Sequence, residues 1–523
     1  GVNSPQWILE WAKRVGYDQI AITDINSTTA ILSSVKIAQE IDIKIIAGAD
    51  IRNGIEQQYI LLARNNRGFH EINDFITRYL HNKELFPDQV EYLANCIVIY
   101  PFEKAPDKLK GNEFVGLRPH EVSTLNIDRK SNIDRLVALQ TMTFQNKREF
   151  NAHRLLRVID NNCLLSKLPP TEQAKTHDHF MDKQTFEKHY ADFKDILTRT
   201  KKLLNKCTID FHFGDAVQPQ NIQTYTGTKN EDEKLLRALT EEGIPKRYSS
   251  VTPTIQSRIE QELDVIGKKD YLAYFLVTWD IINFARSKGY FHVGRGSGAN
   301  SIVAYLLGIT DVDPLELDLY FERFINMYRK NPPDFDIDFS WRERDEVMQY
   351  IFNRFPNTAL LCTYNTFKYR ATVRELGKVF GLPKTDIDRL SSGKYNITQL
   401  DEMNQLVLKY SKYIEGLPSH LSVHAGGIII SEKPVTWYSA TFLPPKGFAT
   451  TQFSMLEAED IGLYKFDILS QRGLSKIHDT VDIIAYNRPN KEMHDIHDVA
   501  HFKKDPKVRS LLQNGGAMGC FYV

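Results

Sequence analysis

The sequence predicts a multidomain protein that joins an α/β part to an α+β part. Three observations carry this. The chain has 523 residues, more than one ordinary core holds, so two to four domains are expected. Its first hundred residues alternate helical and strand signals, the grammar of a β/α barrel or doubly wound sheet. Beyond residue 290, short strands carry a glycine-rich turn and an alternating run of aspartates, with helices between them.

The elements follow in order. Ser4 and Pro5 read as an N-cap and a first-turn proline opening an apolar-periodic helix over Ile8, Leu9, Trp11 and Ala12. The runs QIAITD, KIIAGADI, QYILLA and CIVIY suit buried parallel strands. Asp24 and Asp50 fall at strand ends, where such folds place active sites and where plain turn and cap residues also gather. From about 150 to 290 the pattern is mostly helical, with EFNAHRLLRVID, EDEKLLRALTEEG, TIQSRIEQELDVIG and YLAYFLVTWDIINFARSKG as scaffold. The polar stretch around residues 212–233 reads as a connector, and a domain boundary is expected near 205.

Composition narrows the function classes. A hydrophobic fraction of 42% with 25% charged residues is that of globular proteins, which argues against large-scale disorder. Lys and Arg number 66, as do Asp and Glu, so a nucleic-acid partner would have to meet positive charge concentrated in one groove. No apolar run is long enough for a bilayer and the first residues lack a signal-peptide layout, so no membrane partner and a cytoplasmic location are expected. Cys96, Cys163, Cys207, Cys362 and Cys520 show no CxxC spacing and are expected to be buried thiols.

Chemistry concentrates in three stretches. In NPPDFDIDF (331–339), Asp334, Asp336 and Asp338 alternate with Phe335, Ile337 and Phe339, which puts three carboxylates on one face of a strand. Either that face meets water or a cation sits among them. Before it, Gly294, Gly296 and Gly298 make a turn ahead of a helix-forming run from Ala299 to Leu307, so backbone N–H groups at a helix start, the Arg295 guanidinium and the Ser297 hydroxyl could receive phosphate oxygens. It is neither a Walker A loop nor a dinucleotide fingerprint. Later, Asp467 interrupts the apolar strand of IGLYKFDILS, with Lys465 two residues before it. That pair is either part of a triphosphate site or a buried structural ion pair. A Gly-Ser turn followed by Asp-x-Asp suits two Mg²⁺ ions, which prefer carboxylate and phosphate oxygens and can stabilise both the attacking and leaving oxygens of a nucleotidyl transfer.

The stretches VGRGSGANSIVAYLLGITDVDPLELDLYFERFIN, PPDFDIDF, HAGGIII and YKFDIL stand in the order and rough spacing of the C-family bacterial replicative polymerases, and from about 255 to the end the chain resembles the DNA polymerase III alpha subunits. GLPSHLSVHAGGIIIS and KFDILSQRGL look more like the error-prone branch. The resemblance implies a PHP-like β/α barrel over residues 1–204 and a nucleotidyltransferase-type, polymerase beta-like palm over 205–365 and 421–475. It further implies a helical thumb insertion over 366–420 and the start of the fingers over 476–523. It implies Asp334, Asp336 and Asp467 as catalytic metal ligands for two Mg²⁺ ions, with Arg295, Gly296, Ser297 and Lys465 holding the incoming dNTP. Asp338 is left a supporting role.

His424, Gly426 and Gly427 would mark the return of the chain into the palm, with a core or turn role favoured for His424. Lys368, Arg370, Arg374 and Lys378 in TYNTFKYRATVRELGKVFG could track a DNA backbone or form a solvated helix face. Primer-template DNA, a sliding clamp and other replisome subunits are the implied partners, and template-directed DNA synthesis in the bacterial cytoplasm the implied activity. The alternatives are a metal-dependent PHP phosphoesterase and a non-catalytic DNA-binding scaffold. The amino-terminal part departs from the PHP metal pattern: Ile25 stands where a His is usual, Asp50 where a Glu is, LQTMTFQN lacks the Asp-x-His, and the sequence shows no initial His-x-His strand. A structural barrel without 3′–5′ exonuclease activity is therefore expected.

Overall fold

A computed structural model describes residues 2–126, 133–214, 217–326, 328, 334–490, 496 and 499–519. Cys520 and the Asn331, Pro332 and Pro333 of the aspartate stretch lie outside them. The chain forms two compact units. One comprises Gly1–Asn221, Asn357–His424 and Ile429–Tyr464, the other Ile222–Pro356, Ala425–Ile428 and Lys465–Val523. No helix among the described residues is long and apolar enough to cross a membrane.

The first unit is built on a six-stranded sheet of β1 (Gln19–Ile25), β2 (Lys44–Asn53), β3 (Glu56–Ala63), β4 (Cys96–Pro101), β5 (Glu113–Leu117) and β6 (Leu136–Ala138), in that spatial order. The helix Pro5–Arg14 begins as its sequence directs: Trp7 N–H donates to Ser4 Oγ at 3.3 Å, Pro5 takes the first turn, and Leu9, Trp11 and Ala12 are buried. Two expectations need correction. Among the described residues the sheet is open, with β1 and β6 at its edges, so it is a half-barrel and not a closed barrel. Its strands are also not all parallel, since β2–β3 and β3–β4 run antiparallel. The physical reason lies in Asn53-Gly54, a hairpin signal in which Gly54 adopts φ +62° and turns β2 straight into β3 without a crossover helix.

Seven strands follow: β7 (His292–Arg295), β8 (Asp336–Ser340), β9 (Thr358–Thr366), β10 (Pro418–Ile430), β11 (Thr441–Phe442), β12 (Thr450–Ser454) and β13 (Phe466–Gln471). In the first unit β12 pairs antiparallel with β11 and parallel with β9. The same unit holds the helices Lys147–Asp160, Tyr369–Phe380, Lys384–Ser391 and Glu402–Ile414, whose apolar faces share one cluster of Leu155, Val158, Val373, Leu376, Leu390 and Val407.

In the second unit β8 is flanked by β7, antiparallel, and by β13, parallel, while Gly427 and Ile428 of β10 add antiparallel to β13. The alternation read from the sequence is present. Phe335, Ile337 and Phe339 are all buried, with exposures of 2% or less. Tyr274, on the helix Leu272–Ser287, stacks on Phe335 and Phe466 with ring centroids 5.5 and 4.7 Å apart. Each such buried aromatic contributes about 1.5–3 kcal/mol through area removed from water, which fixes the register that sends the aspartates to the other face. The helices Lys229–Arg247, Pro253–Lys268, Arg344–Arg354 and Arg472–Asn487 also belong to this unit.

Candidate functional site

Register places the acids. Asp336 of β8 is paired with Asp467 of β13 on one side and with Arg295 of β7 on the other, and Asp467 is paired in turn with Gly427. Four strands thus carry Gly427, Asp467, Asp336 and Arg295 in one row, and paired residues on neighbouring strands project to the same face. Asp338 lies two residues along β8 on that face, and Asp334 lies two residues before the strand's first residue, Asp336.

Cations offset the repulsion among these carboxylates. Arg295 donates from Nε to Asp338 Oδ2 at 2.8 Å and from Nη1 to Asp336 Oδ2 at 3.2 Å. Lys465 Nζ donates to Asp467 Oδ2 and lies 3.6 Å from Asp334 Oδ2. Asp467 and Lys465 are nearly buried, with 8% and 11% of their side chains exposed, whereas Asp334 is half exposed. Burial raises the Asp336 carboxyl above its ordinary range; Arg295 and Lys465 oppose the rise, and Asp467 and Asp334 add to it. Burial works against the charge of Lys465, but the hydrogen bond to Asp467 and the charges of Asp334, Asp467 and Asp336 outweigh it, so its pKa is raised.

The glycine-rich turn adjoins the row. Gly296 adopts φ +75°, a conformation that favours glycine, and a Cβ there would sit a tight 3.1 Å from Asp336 Oδ2. A Cβ on Gly298 would meet Cδ1 of Phe335 at 2.7 Å, which locks the turn against the aspartate strand. Ser297 lies between them in a short 3₁₀ turn, Gly296–Asn300. The expected helix from Ala299 is corrected: it begins at Ile302, is five residues long, and has Ser301 as its cap, with Ala304 N–H donating to Ser301 Oγ at 3.1 Å. Its amino end does not face an external anion. Ile302 N–H and Val303 N–H donate to the Glu262 carboxylate at 3.1 and 3.2 Å, and the Ser301 hydroxyl donates to it at 2.7 Å.

Glu262 is a residue that sequence reasoning missed. It is fully buried, and Arg258 donates to it from Nε at 2.7 Å while its Nη2 donates to the carbonyls of Asn300 and Leu319. The signal was present: Glu262 falls on the buried face defined by Ile255, Ile259, Leu263 and Ile266, where an acid needs a reason to be. Gln471, whose Nε2 donates to Asp338 Oδ2 at 3.3 Å, carried no such signal.

The other candidates sit in the first unit. Asp24 accepts Ala30 N–H at 3.0 Å, and burial raises its carboxyl. Asp50 Oδ2 accepts from Arg52 Nε and Nη2 at 2.9 and 2.6 Å, and its Oδ1 accepts from Gln57 at 2.8 Å. Both carboxylates are thus engaged within the fold. The helix Tyr369–Phe380 holds Arg370, Arg374 and Lys378, with Lys368 at its cap. Arg374 pairs with Asp388 at 2.9 Å and Lys378 with Glu375 at 2.6 Å, while Lys368 and Arg370 are exposed. His424 is half-buried in β10.

The acids suit divalent cations by donor chemistry. Asp467 Oδ1 is buried with no hydrogen-bond partner among the described residues, an unsatisfied acceptor on the row. No three His, Cys, Asp or Glu side chains among the described residues converge tightly enough to hold an ion as they stand, since Arg295 and Lys465 take up the neighbouring oxygens.

Residues 234–470 match the family model for the bacterial DNA polymerase III alpha NTPase domain, and residues 1–163 match the PHP domain. The chain is a homologue of the bacterial DNA polymerase III alpha subunits. It is 31% identical over 371 residues to the error-prone DNA polymerase of Symbiobacterium thermophilum, an alignment covering 67% of this chain and 34% of that protein. It is 28% identical to the DNA polymerase III subunit alpha of Halalkalibacterium halodurans over 99% of this chain and 50% of that one. With the error-prone DNA polymerase of Pseudomonas aeruginosa the identity is 27%, over 100% of this chain and 54% of the relative. The chain thus spans about a third to about half the length of these relatives. The alternating aspartates of β8, the Gly-Ser turn and the Lys465–Asp467 strand all lie within the polymerase match.

Proposed function

We propose that the chain carries the catalytic centre of a template-directed DNA polymerase, which joins a dNMP from a dNTP to a primer 3′-hydroxyl and releases pyrophosphate. The observation that carries this reading is the pairing of Asp336 with Asp467 across parallel strands, with Arg295 and Lys465 bonded to the same acids. In this reading residues 205–365 and 421–475 act as palm and 366–420 as thumb. Two Mg²⁺ ions held by Asp334, Asp336 and Asp467 would supply Lewis-acid stabilisation of the attacking and leaving oxygens.

The chain's own residues do the rest. Arg295 and Lys465 are cations already poised on the row, and a triphosphate offers them stronger, multidentate acceptors than a single carboxylate. Moving to it, they release oxygens of Asp336 and Asp467. Gly296 leaves room beside Asp336 for a phosphate oxygen, and the Ser297 hydroxyl adds a donor. The buried Asp467 strand excludes water from one side, which strengthens each of these interactions. The relatives named DNA polymerase III subunit alpha and those named error-prone DNA polymerase stand at like identity, so the reading is stated for the chemistry they share. Primer-template DNA and dNTPs are the proposed substrates, and a sliding clamp and other replisome subunits the proposed partners.

The test is single-nucleotide extension of a labelled primer on a defined template with Mg²⁺. Incorporation of only the complementary dNTP is expected. Absence of extension by the intact protein, or extension that ignores the template base, contradicts the reading.

A further inference from the structure

We propose that Asp338 is the positioning residue for Arg295: it clamps the Nε edge of the guanidinium so that the Nη edge is presented to Asp336 and, in the polymerase reading on which this rests, to the dNTP triphosphate. The geometry separates the roles of the two aspartates. Asp338 accepts the shorter bond, from Nε at 2.8 Å, and Asp336 the longer one, from Nη1 at 3.2 Å. Asp338 is also the buried partner, with 7% of its side chain exposed against 27% for Asp336. A bond at Nε on the stem side fixes the plane of the guanidinium while leaving its outer nitrogens to turn towards another anion.

Asp338 shows no sign of serving the fold alone. A buried carboxylate is costly unless its charge has a partner, and a neutral Asn or an apolar residue would fill a merely structural position more cheaply. The only cation bonded to Asp338 among the described residues is Arg295. Its other bond, from Gln471 Nε2 at 3.3 Å, lands on the same Oδ2, and its Oδ1 has no partner among the described residues. Both donors converge on one oxygen, as expected if Gln471 orients the carboxylate towards Arg295.

The test is a double-mutant cycle in the intact protein with Asp338→Ala, Arg295→Ala and the double variant. It reads dNTP KM and kcat in primer extension and, separately, the Kd of a fluorescent dATP. Removing the clamp should raise KM and Kd about tenfold, the scale of one charge-assisted hydrogen bond, with kcat within about threefold. The double variant should be no worse than Arg295→Ala alone, and Asp338→Glu should recover part of the loss. Additive effects, or a fall in kcat without a change in KM or Kd, overturn the proposal. If the wild type binds the dATP probe but extends no primer, the polymerase reading fails, and the cycle in Kd still decides the role of Asp338. If the wild type binds no probe, both fall.

Discussion

Asp336 and Asp467 are register partners on two adjacent parallel strands. Strands so paired lie about 4.8 Å apart, which brings two carboxylates distant in sequence onto one face at the separation that shared cations require. Had they faced opposite sides of the sheet, the two-metal reading would have no basis. Arg295, across Asp336 on the far side, and Lys465, beside Asp467, give the pair its charge balance.

This balance predicts a pH dependence. Burial raises the Asp336 carboxyl, and Arg295 is the largest influence holding it down. A carboxylate takes a cation only when ionised, so kcat/KM should fall as pH drops through the raised pKa of Asp336. Removing the Arg295 charge lets that pKa rise further, and the acid limb of Arg295→Ala should move to higher pH. A pH profile of single-nucleotide incorporation checks this; an acid limb unmoved in the variant contradicts it.

Lys465 and Asp467 are a nearly buried pair. Breaking such a pair leaves one charge stranded and costs about 3–5 kcal/mol, whereas replacing both partners with apolar residues costs far less. Lys465→Met should therefore destabilise the protein more than Lys465→Met combined with Asp467→Leu, as read from urea denaturation midpoints. Equal or additive losses would show that the pair is not coupled.

Glu262 collects the amino end of the helix after the glycine-rich turn, together with Arg258. Glu262→Ala strands the guanidinium and two amides and should cost about 3–5 kcal/mol. Glu262→Gln keeps acceptors for part of the set and should cost less. Thermal melts of the two variants decide, and equal melting temperatures would contradict the assigned role.

The sequence revealed some of this more readily than the rest. Alternation in Phe335 to Phe339 and the Ser4-Pro5 cap are local signals, set by the pleat and by backbone capping, and both are present in the fold. Pairing is not local. Nothing in the Asp467 strand says that its neighbour is β8, and only a family resemblance joined the two stretches. The open sheet was missed because periodicity does not distinguish parallel from antiparallel strands, although Asn53-Gly54 marked the hairpin. After the glycine-rich turn a helix is expected over Ala299 to Leu307 because that run has good propensity. Tertiary contacts to Glu262 start the helix later and make it short.

On the helix Tyr369–Phe380 the basic residues are not equivalent. Arg374 and Lys378 are engaged with Asp388 and Glu375, whereas Lys368 and Arg370 are exposed. If this helix meets a DNA backbone, Lys368→Ala and Arg370→Ala should each reduce the slope of log affinity against log salt by about 1. Arg374→Ala and Lys378→Ala should change it less. Fluorescence anisotropy with labelled primer-template over a salt series reads the slopes, and four unchanged slopes would assign the helix to a solvated face.

The central claim is that Asp467 works with Asp336 on the reacting phosphate, and its most direct test is the rate of single-nucleotide primer extension by Asp467→Asn in the intact protein. The substitution keeps shape and removes charge. We predict that incorporation is abolished while primer-template affinity stays within about twofold, since Asp467 is nearly buried and offers DNA little surface. Extension at the wild-type rate would contradict the assignment of the site.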